Sequence, residues 1–309
     1  MYLEEIASEV VHIVRSKSQI SRYCDPTLYV LAAIVYSGSR SIKSIGYIMI
    51  GYFTLNLPTT KTNDWALMSL SSRLQRKINQ LFPKKTWEVS QQYEWKATQE
   101  FMQTSDFANQ ISNFQTGKFD ALSGYRDTLI IKEFFANSTE QYNEFLTKIE
   151  GKARLDVGPC LSTPLRQWGG AKNFVIEPLF EKVSKFQKDK FGFSLFDGFI
   201  GFNSPAEVTI NSLINHIDGV IYCRNCIDHS PLWPFILANI SKYAAKGCYL
   251  MIWNDLDHNG SADDGHYDIT REPEYFKNLI EALGFDIINE YTDNQRIGVN
   301  IGFLAIKKY

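Results

Sequence analysis

No stretch of this sequence offers the ~20 consecutive apolar residues that a membrane-spanning helix needs. The most apolar region, "YVLAAIVYSGSRSIKSIGYIMIGYF" from Tyr29 to Phe53, is cut in two by Arg40 and Lys43 among serines and glycines, and reads as two buried helices, with a membrane-surface patch as the alternative. The opening "MYLEEIASEV" is acidic and has no basic segment ahead of an apolar core, so no signal peptide is expected. An excess of charge of one sign is also missing: 32 basic against 34 acidic residues leave a formal net charge of -2. Without a basic stripe, nucleic acid is not an expected partner, and neither is stable membrane insertion. Cysteine is scarce and odd in number, five in 309 residues. A disulfide framework needs pairs, so reduced thiols and a cytoplasmic setting are expected. Structural zinc needs four ligands, and the one C-x-x-C, Cys223 and Cys226 in "YCRNCIDHS", has no second pair to complete them. Nor does it open a helix, as a redox C-x-x-C does. The two cysteines are expected to be small residues packed near a strand end.

What is present divides near Gly151. Before it, helical spacing dominates. Ile6, Val10 and Ile13 share a face of "LEEIASEVVHIV", and Asp25-Pro26 is placed to cap and start a helix through "LYVLAAIVYS". "WALMSLSSRLQRKINQLF", "SQQYEWKATQEFMQ" and "FANSTEQYNEFLTKI" read the same way. After it come short apolar runs: "ARLDVG", "NFVIEP", "GFIGF", "GVIYCRN", "GCYLMIW", "FDIINEY" and "NIGFLAIKK". Several are apolar on both faces, as strands of a covered parallel sheet are. Helical stretches separate them, "LFEKVSKFQKDKF", "PLWPFILANISKYAAK" and "PEYFKNLIEALG". Alternating β and α elements predict a doubly wound α/β sheet over 151–309, behind a helical region at 1–150.

In an open α/β sheet, ligands bind beyond the carboxyl ends of the strands. The first run ends in Asp156, and Gly158 makes the turn, where a backbone can approach a ligand closely. The second ends in Glu177, 21 residues after Asp156, a spacing that suits a carboxylate taking two ribose hydroxyls. The G-x-G-x-x-G that seats a pyrophosphate is absent, since Pro159 and Cys160 follow Gly158. A nucleoside ligand without phosphate fits this pattern better than a dinucleotide, which weakens a nicotinamide-oxidoreductase reading.

"LDVGPC" resembles motif I of the class I S-adenosylmethionine-dependent methyltransferases, with Pro159-Cys160 standing at the usual second glycine, and "VIEP" resembles motif II. "YCRNCIDHS" followed by "ISKYAAKGCYLMI" is similar to the later block, with "AAKGC" in place of "KPGG". In order and spacing the resemblance spans about 150–309 and is nearest to the type 11 branch. It implies a Rossmann-like, mostly parallel seven-stranded sheet with an antiparallel last strand, and S-adenosylmethionine as cofactor, with S-adenosylhomocysteine as product. It also implies that Asp156 and Gly158 border the methionine moiety, Glu177 binds the ribose, Ala206 and Glu207 contact adenine, and Asn225 lies beside the cofactor.

Methyl transfer to a hydroxyl requires alignment of the nucleophile and removal of its proton, a role that suits histidine. His229, after the fourth strand, is the first candidate base, with His266 second, and Asp228 is a candidate to orient a histidine. "NDLDHNGSADDGH", Asn254 to His266, opens like an EF-hand loop from Asp255, but His266 stands where the bidentate Glu belongs. It reads as a polar lid over the substrate, and no metal site is assigned. The resemblance implies a small molecule or a sugar or glycan precursor as acceptor. The helical region would supply a lid, with Tyr93, Trp95 and Phe101 lining a pocket, or the surface of a homodimer. The competing reading is a methyltransferase-like protein without catalysis that binds a ligand or partner.

Overall fold

The computed structural model describes residues 84–116, 123–169, 172–230, 232–256, 269–270, 272–293 and 299–309. The helices expected before residue 84, and His258 and His266, lie outside the described residues. The chain forms two compact units, Met1–Glu88 and Val89–Tyr309, and the whole sheet belongs to the second.

Among the described residues, four helices precede the sheet: α1 (Lys84–Met102), α2 (Ser105–Gln115), α3 (Ser123–Phe134) and α4 (Thr139–Ile149). The sheet is built from β1 (Ala153–Val157), β2 (Lys172–Ile176), β3 (Ile200–Phe202), β4 (Val220–Arg224), β5 (Tyr249–Asp255), β6 (Phe285–Thr292) and β7 (Asn300–Lys307). Helices α5 (Phe180–Phe191), α6 (Trp233–Tyr243) and α7 (Pro273–Ala282) alternate with the strands. The strand order is β3-β2-β1-β4-β5-β7-β6, with all neighbours parallel except β7, which runs antiparallel to both β5 and β6. The seven apolar runs thus became the seven strands.

Burial explains their composition. In β5, six successive residues from Tyr249 to Asn254 are buried, because helices or loops cover both faces. Strand β6 at the edge alternates, with Phe285 buried and Ile288 exposed. One face of the sheet carries Val220, Tyr222, Tyr249, Met251 and Trp253 against Ile130, Phe134 and Phe145 of α3 and α4. A second core sets Val175 and Val183 against Met102, Phe107 and Ile111 of α1 and α2. A chain of hydrogen bonds, buried at its Trp168 end, ties helices to loop: Trp168 Nε1 donates to Tyr142 Oη at 2.8 Å, which donates to Asp127 Oδ1 at 2.7 Å.

Local chemistry sets the helix ends. Ser138 caps α4 by accepting the Gln141 amide at 3.2 Å, and Gly192 closes α5 at φ +81°. Replacing Ser138 by alanine is expected to cost about 1 kcal/mol, seen as a lower urea midpoint at unchanged slope.

Candidate functional site

The sheet register lines up the ends of four parallel strands. Val157 pairs with Ile176 on one side and Cys223 on the other, and Arg224 pairs with Trp253. Gly158, Glu177, Arg224 and Trp253 therefore sit at one edge. From β1 the chain winds outward to β2 and β3, then returns to the other side of β1 to build β4. The loops after β1 and β4 diverge at this reversal and leave a crevice. A cavity of about 220 Å³ lies there, lined by Asp156, Gly158, Pro159 and Ser162 from the β1 side and Tyr222 and Arg224 from β4, with Leu129 and Ile130 of α3.

Gly158 has φ +71°, and its amide continues the ladder by donating to the Ile176 carbonyl at 2.9 Å. A Cβ placed there would lie 2.4 Å from the Cβ and 3.0 Å from the Sγ of Cys226. The glycine is thus required by a protein neighbour as well as by its backbone angle, a constraint that the sequence alone did not reveal. Gly158→Ala is expected to destabilise the protein by at least about 2 kcal/mol, measured by urea unfolding. Adding Cys226→Gly should recover the steric part and leave the backbone part.

Cys160, at the place of the usual second glycine, keeps the glycine-like conformation at φ +54°. Its amide donates to Glu177 Oε2 at 3.2 Å, while Glu177 Oε1 accepts the Leu179 amide at 3.0 Å. Glu177 thereby ties the loop after β1 to the end of its own strand. A carboxylate has about four lone-pair sites, so about two remain for hydroxyl donors. Burial pushes Glu177 up to about 7, and the charge of Glu94 adds to the rise. The two amide hydrogen bonds and His229 act against it.

His229 ends a single 3-10 turn, Ile227–His229, after β4. Its Nδ1 lies 3.1 Å from Oε1 of Glu94, on α1. Burial acts to lower the His229 pKa, but the Glu94 hydrogen bond and the charges of Asp228, Glu94 and Glu177 together raise it. Asp228 is fully buried and its charge favours the imidazolium, but the residue found on Nδ1 is Glu94. Glu94 was not foreseen from the sequence. It sits in a helix whose spacing announces only amphipathicity, 135 residues from its partner. Also from α1, Thr98 Oγ1 lies 3.8 Å from the Cys160 sulfur. Helix α1 therefore spans from the β1 loop to the β4 turn.

Arg224 was likewise missed. Its Nε and Nη2 donate to the two oxygens of buried Glu133 on α3, at 3.2 and 2.7 Å, and the guanidinium lies over the Trp253 ring at 4.5 Å. The pair holds α3 against the cavity and fixes a cation at its wall.

Ala206 and Glu207 are braced from behind. Asn239 of α6 donates to the Ala206 carbonyl at 2.9 Å, and Ser230 Oγ donates to Glu207 Oε1 at 2.8 Å. Asn225 is exposed at φ +51°, its amide donating to the Trp253 carbonyl at 2.7 Å. Of the three aromatics expected to line a pocket, Trp95 packs edge-on against Phe186, and Phe101 is partly exposed beside Phe107. The side chain of Tyr93 lies outside the described residues. The cysteines expected to be mere packing residues have a closer relation: the Cys223 and Cys226 sulfurs are 3.1 Å apart. The His266 base and most of the Asp255–His266 loop lie outside the described residues. Among the described residues, no three His, Cys, Asp or Glu side chains are grouped to hold a metal, and no helix is long and apolar enough to cross a membrane.

No protein-family profile matches this chain, and neither does any curated protein sequence. Solved structures do match. A putative S-adenosylmethionine-dependent methyltransferase from Listeria monocytogenes is 12% identical with a TM-score of 0.41, over 54% of this chain and 98% of that one. The N-methyltransferase NodS from Bradyrhizobium japonicum, in complex with S-adenosyl-L-homocysteine, is 9% identical with a TM-score of 0.41, over 55% and 87%. The [4+2]-cyclase SpnF is 11% identical with a TM-score of 0.41, over 54% and 80%.

Proposed function

We propose that this protein is an S-adenosylmethionine-dependent methyltransferase acting on a hydroxyl of a small molecule or a sugar or glycan precursor. The observation that carries the reading is the crevice between β1 and β4, with Asp156 and Gly158 on its wall and Glu177 one strand over. Its parts suit the cofactor. The cavity of about 220 Å³ suits an amino-acid arm, with the Asp156 carboxyl in its wall for an ammonium group. Glu177 has lone pairs left for ribose hydroxyls, and the braced Ala206–Glu207 segment offers a wall to adenine.

When bound, the cofactor supplies an electrophilic methyl on a sulfonium. The chain's own residues do the rest. Gly158 and Glu177 position the cofactor, and α1 lies across the strand ends through Glu94 and Thr98. His229 takes the acceptor's proton on Nε2 while Nδ1–H points to Glu94. Glu94 is thus a positioning residue that holds the ring and its tautomer. Helices α1 and α3, which touch the strand-end loops and the cavity, serve as lid.

Calorimetry of the full chain with S-adenosylmethionine and with S-adenosylhomocysteine tests this. The expected result is one site for each. Binding of neither overturns the reading, and binding without turnover on a broad hydroxyl-bearing metabolite set favours a ligand-binding protein instead.

A further inference from the structure

We propose that Cys223 and Cys226 are a reversible thiol–disulfide pair, built into the turn that carries Asn225 and His229. Their sulfurs are 3.1 Å apart, and a disulfide spans about 2.05 Å, so closure takes a movement of roughly 1 Å. Two features hold the cysteines facing one another. Asn225 between them adopts φ +51° and folds the chain back on its strand. Asn254 Oδ1, fully buried on β5, accepts the amides of Cys226 and Ile227 at 3.2 and 3.3 Å and pins the turn. Cys160 is exposed on the β1 loop, and Cys248 is buried where β5 begins, at the opposite edge of the sheet.

The oxidant is a small-molecule disulfide. Cys226 is partly exposed and Cys223 fully buried, so Cys226 reacts first. Its thiol gives up a proton, and the thiolate attacks one sulfur of the oxidant. The oxidant's S–S bond breaks, and half of it leaves as a thiolate that takes up the proton. Cys223, deprotonated in turn, attacks the Cys226 sulfur and breaks the mixed disulfide. The second half of the oxidant leaves and takes the Cys223 proton. Two cysteine thiols are oxidised to one S–S bond, and one external disulfide is reduced to two thiols. The hydrogen bond to Cys223, burial, and the charges of Asp228 and Asp156 hold the Cys226 thiol protonated, so the exchange is slow at neutral pH.

The test uses the full chain with oxidised glutathione at mildly alkaline pH, followed by alkylation, trypsin and mass spectrometry. Trypsin cuts after Arg224, between the two cysteines. The expected product is a pair of peptides joined by a disulfide, separated again by dithiothreitol. In Cys223→Ser, the glutathione adduct on Cys226 should persist, since nothing resolves it. A persistent adduct on Cys226 of the wild type overturns the proposal, as do two separately alkylated cysteines. Cys160 falls on its own tryptic peptide and is read independently. The readout involves neither cofactor nor acceptor, so its outcome is distinct from that of the methyltransferase reading.

Discussion

Replacing His229 by alanine is expected to cut turnover at least about 100-fold, while affinity for S-adenosylhomocysteine stays nearly unchanged. The assay is release of S-adenosylhomocysteine in the presence of a hydroxyl acceptor. The geometry of the ring supports this role. Its Nδ1 is engaged by Glu94 at 3.1 Å, so Nε2 is the nitrogen that would take the proton. A base works only when neutral, so turnover should climb with pH through the His229 pKa. That pKa lies above its ordinary 6.5, with burial acting downward and the Glu94 hydrogen bond and three carboxylates acting upward. Glu94→Gln keeps a hydrogen-bonding group but removes the charge, so the rising limb should move to lower pH. A merely structural role for Glu94 would lower turnover without moving the limb. Full turnover by His229→Ala would remove His229 from the role and leave His266 as the next candidate.

Glu177→Ala should weaken binding of S-adenosylhomocysteine by one or more tenfold steps, because hydrogen bonds to a charged group contribute ~1.5–3 kcal/mol. The same carboxyl should mark the stability curve. Burial raises its folded pKa to about 7 from an ordinary 4.5, with Glu94 adding and the Cys160 and Leu179 amides and His229 opposing. Between those values the unfolded chain has lost this proton and the folded chain keeps it. Stability therefore falls as pH rises through this window, by roughly 3 kcal/mol from this group alone. Urea unfolding from pH 4.5 to 8 in wild type and Glu177→Gln checks the sign: the variant should lose most of that decline. A wild-type curve that is flat, or that rises, through the window would count against the shift. Ribose hydroxyls donate best to the ionised form, so affinity should strengthen as pH rises through about 7 in the wild type only.

The fold was legible because its signals are local. "VIYC" and "YLMIW" are apolar without alternation, as strands covered on both faces are, and they are too short and too rich in β-formers for a buried helix. The turn after β1 was legible for a related reason, since few residues other than glycine accept a left-handed φ. Cys160 escaped that rule: it adopts φ +54° with a side chain, held by its amide bond to Glu177. The position of Glu177 at a strand end was readable, but not its burial. That depends on Leu179 and Cys160 closing over it.

The sequence by itself determined the strands and their alternation with helices, and placed the ends of β1, β2 and β4 to within one residue of Val157, Ile176 and Arg224. Periodicity records which faces of an element are buried, and that information sits within a few residues. Only the tertiary structure decided who meets whom at the strand ends. Glu94 reaches His229 across 135 positions and Glu133 reaches Arg224 across 91. Cys226 stands against Gly158 because β1 and β4 are neighbours in the sheet. Such pairings follow from strand order, register and the packing of α1 and α3. Those are properties of the assembled sheet, and no single segment carries them.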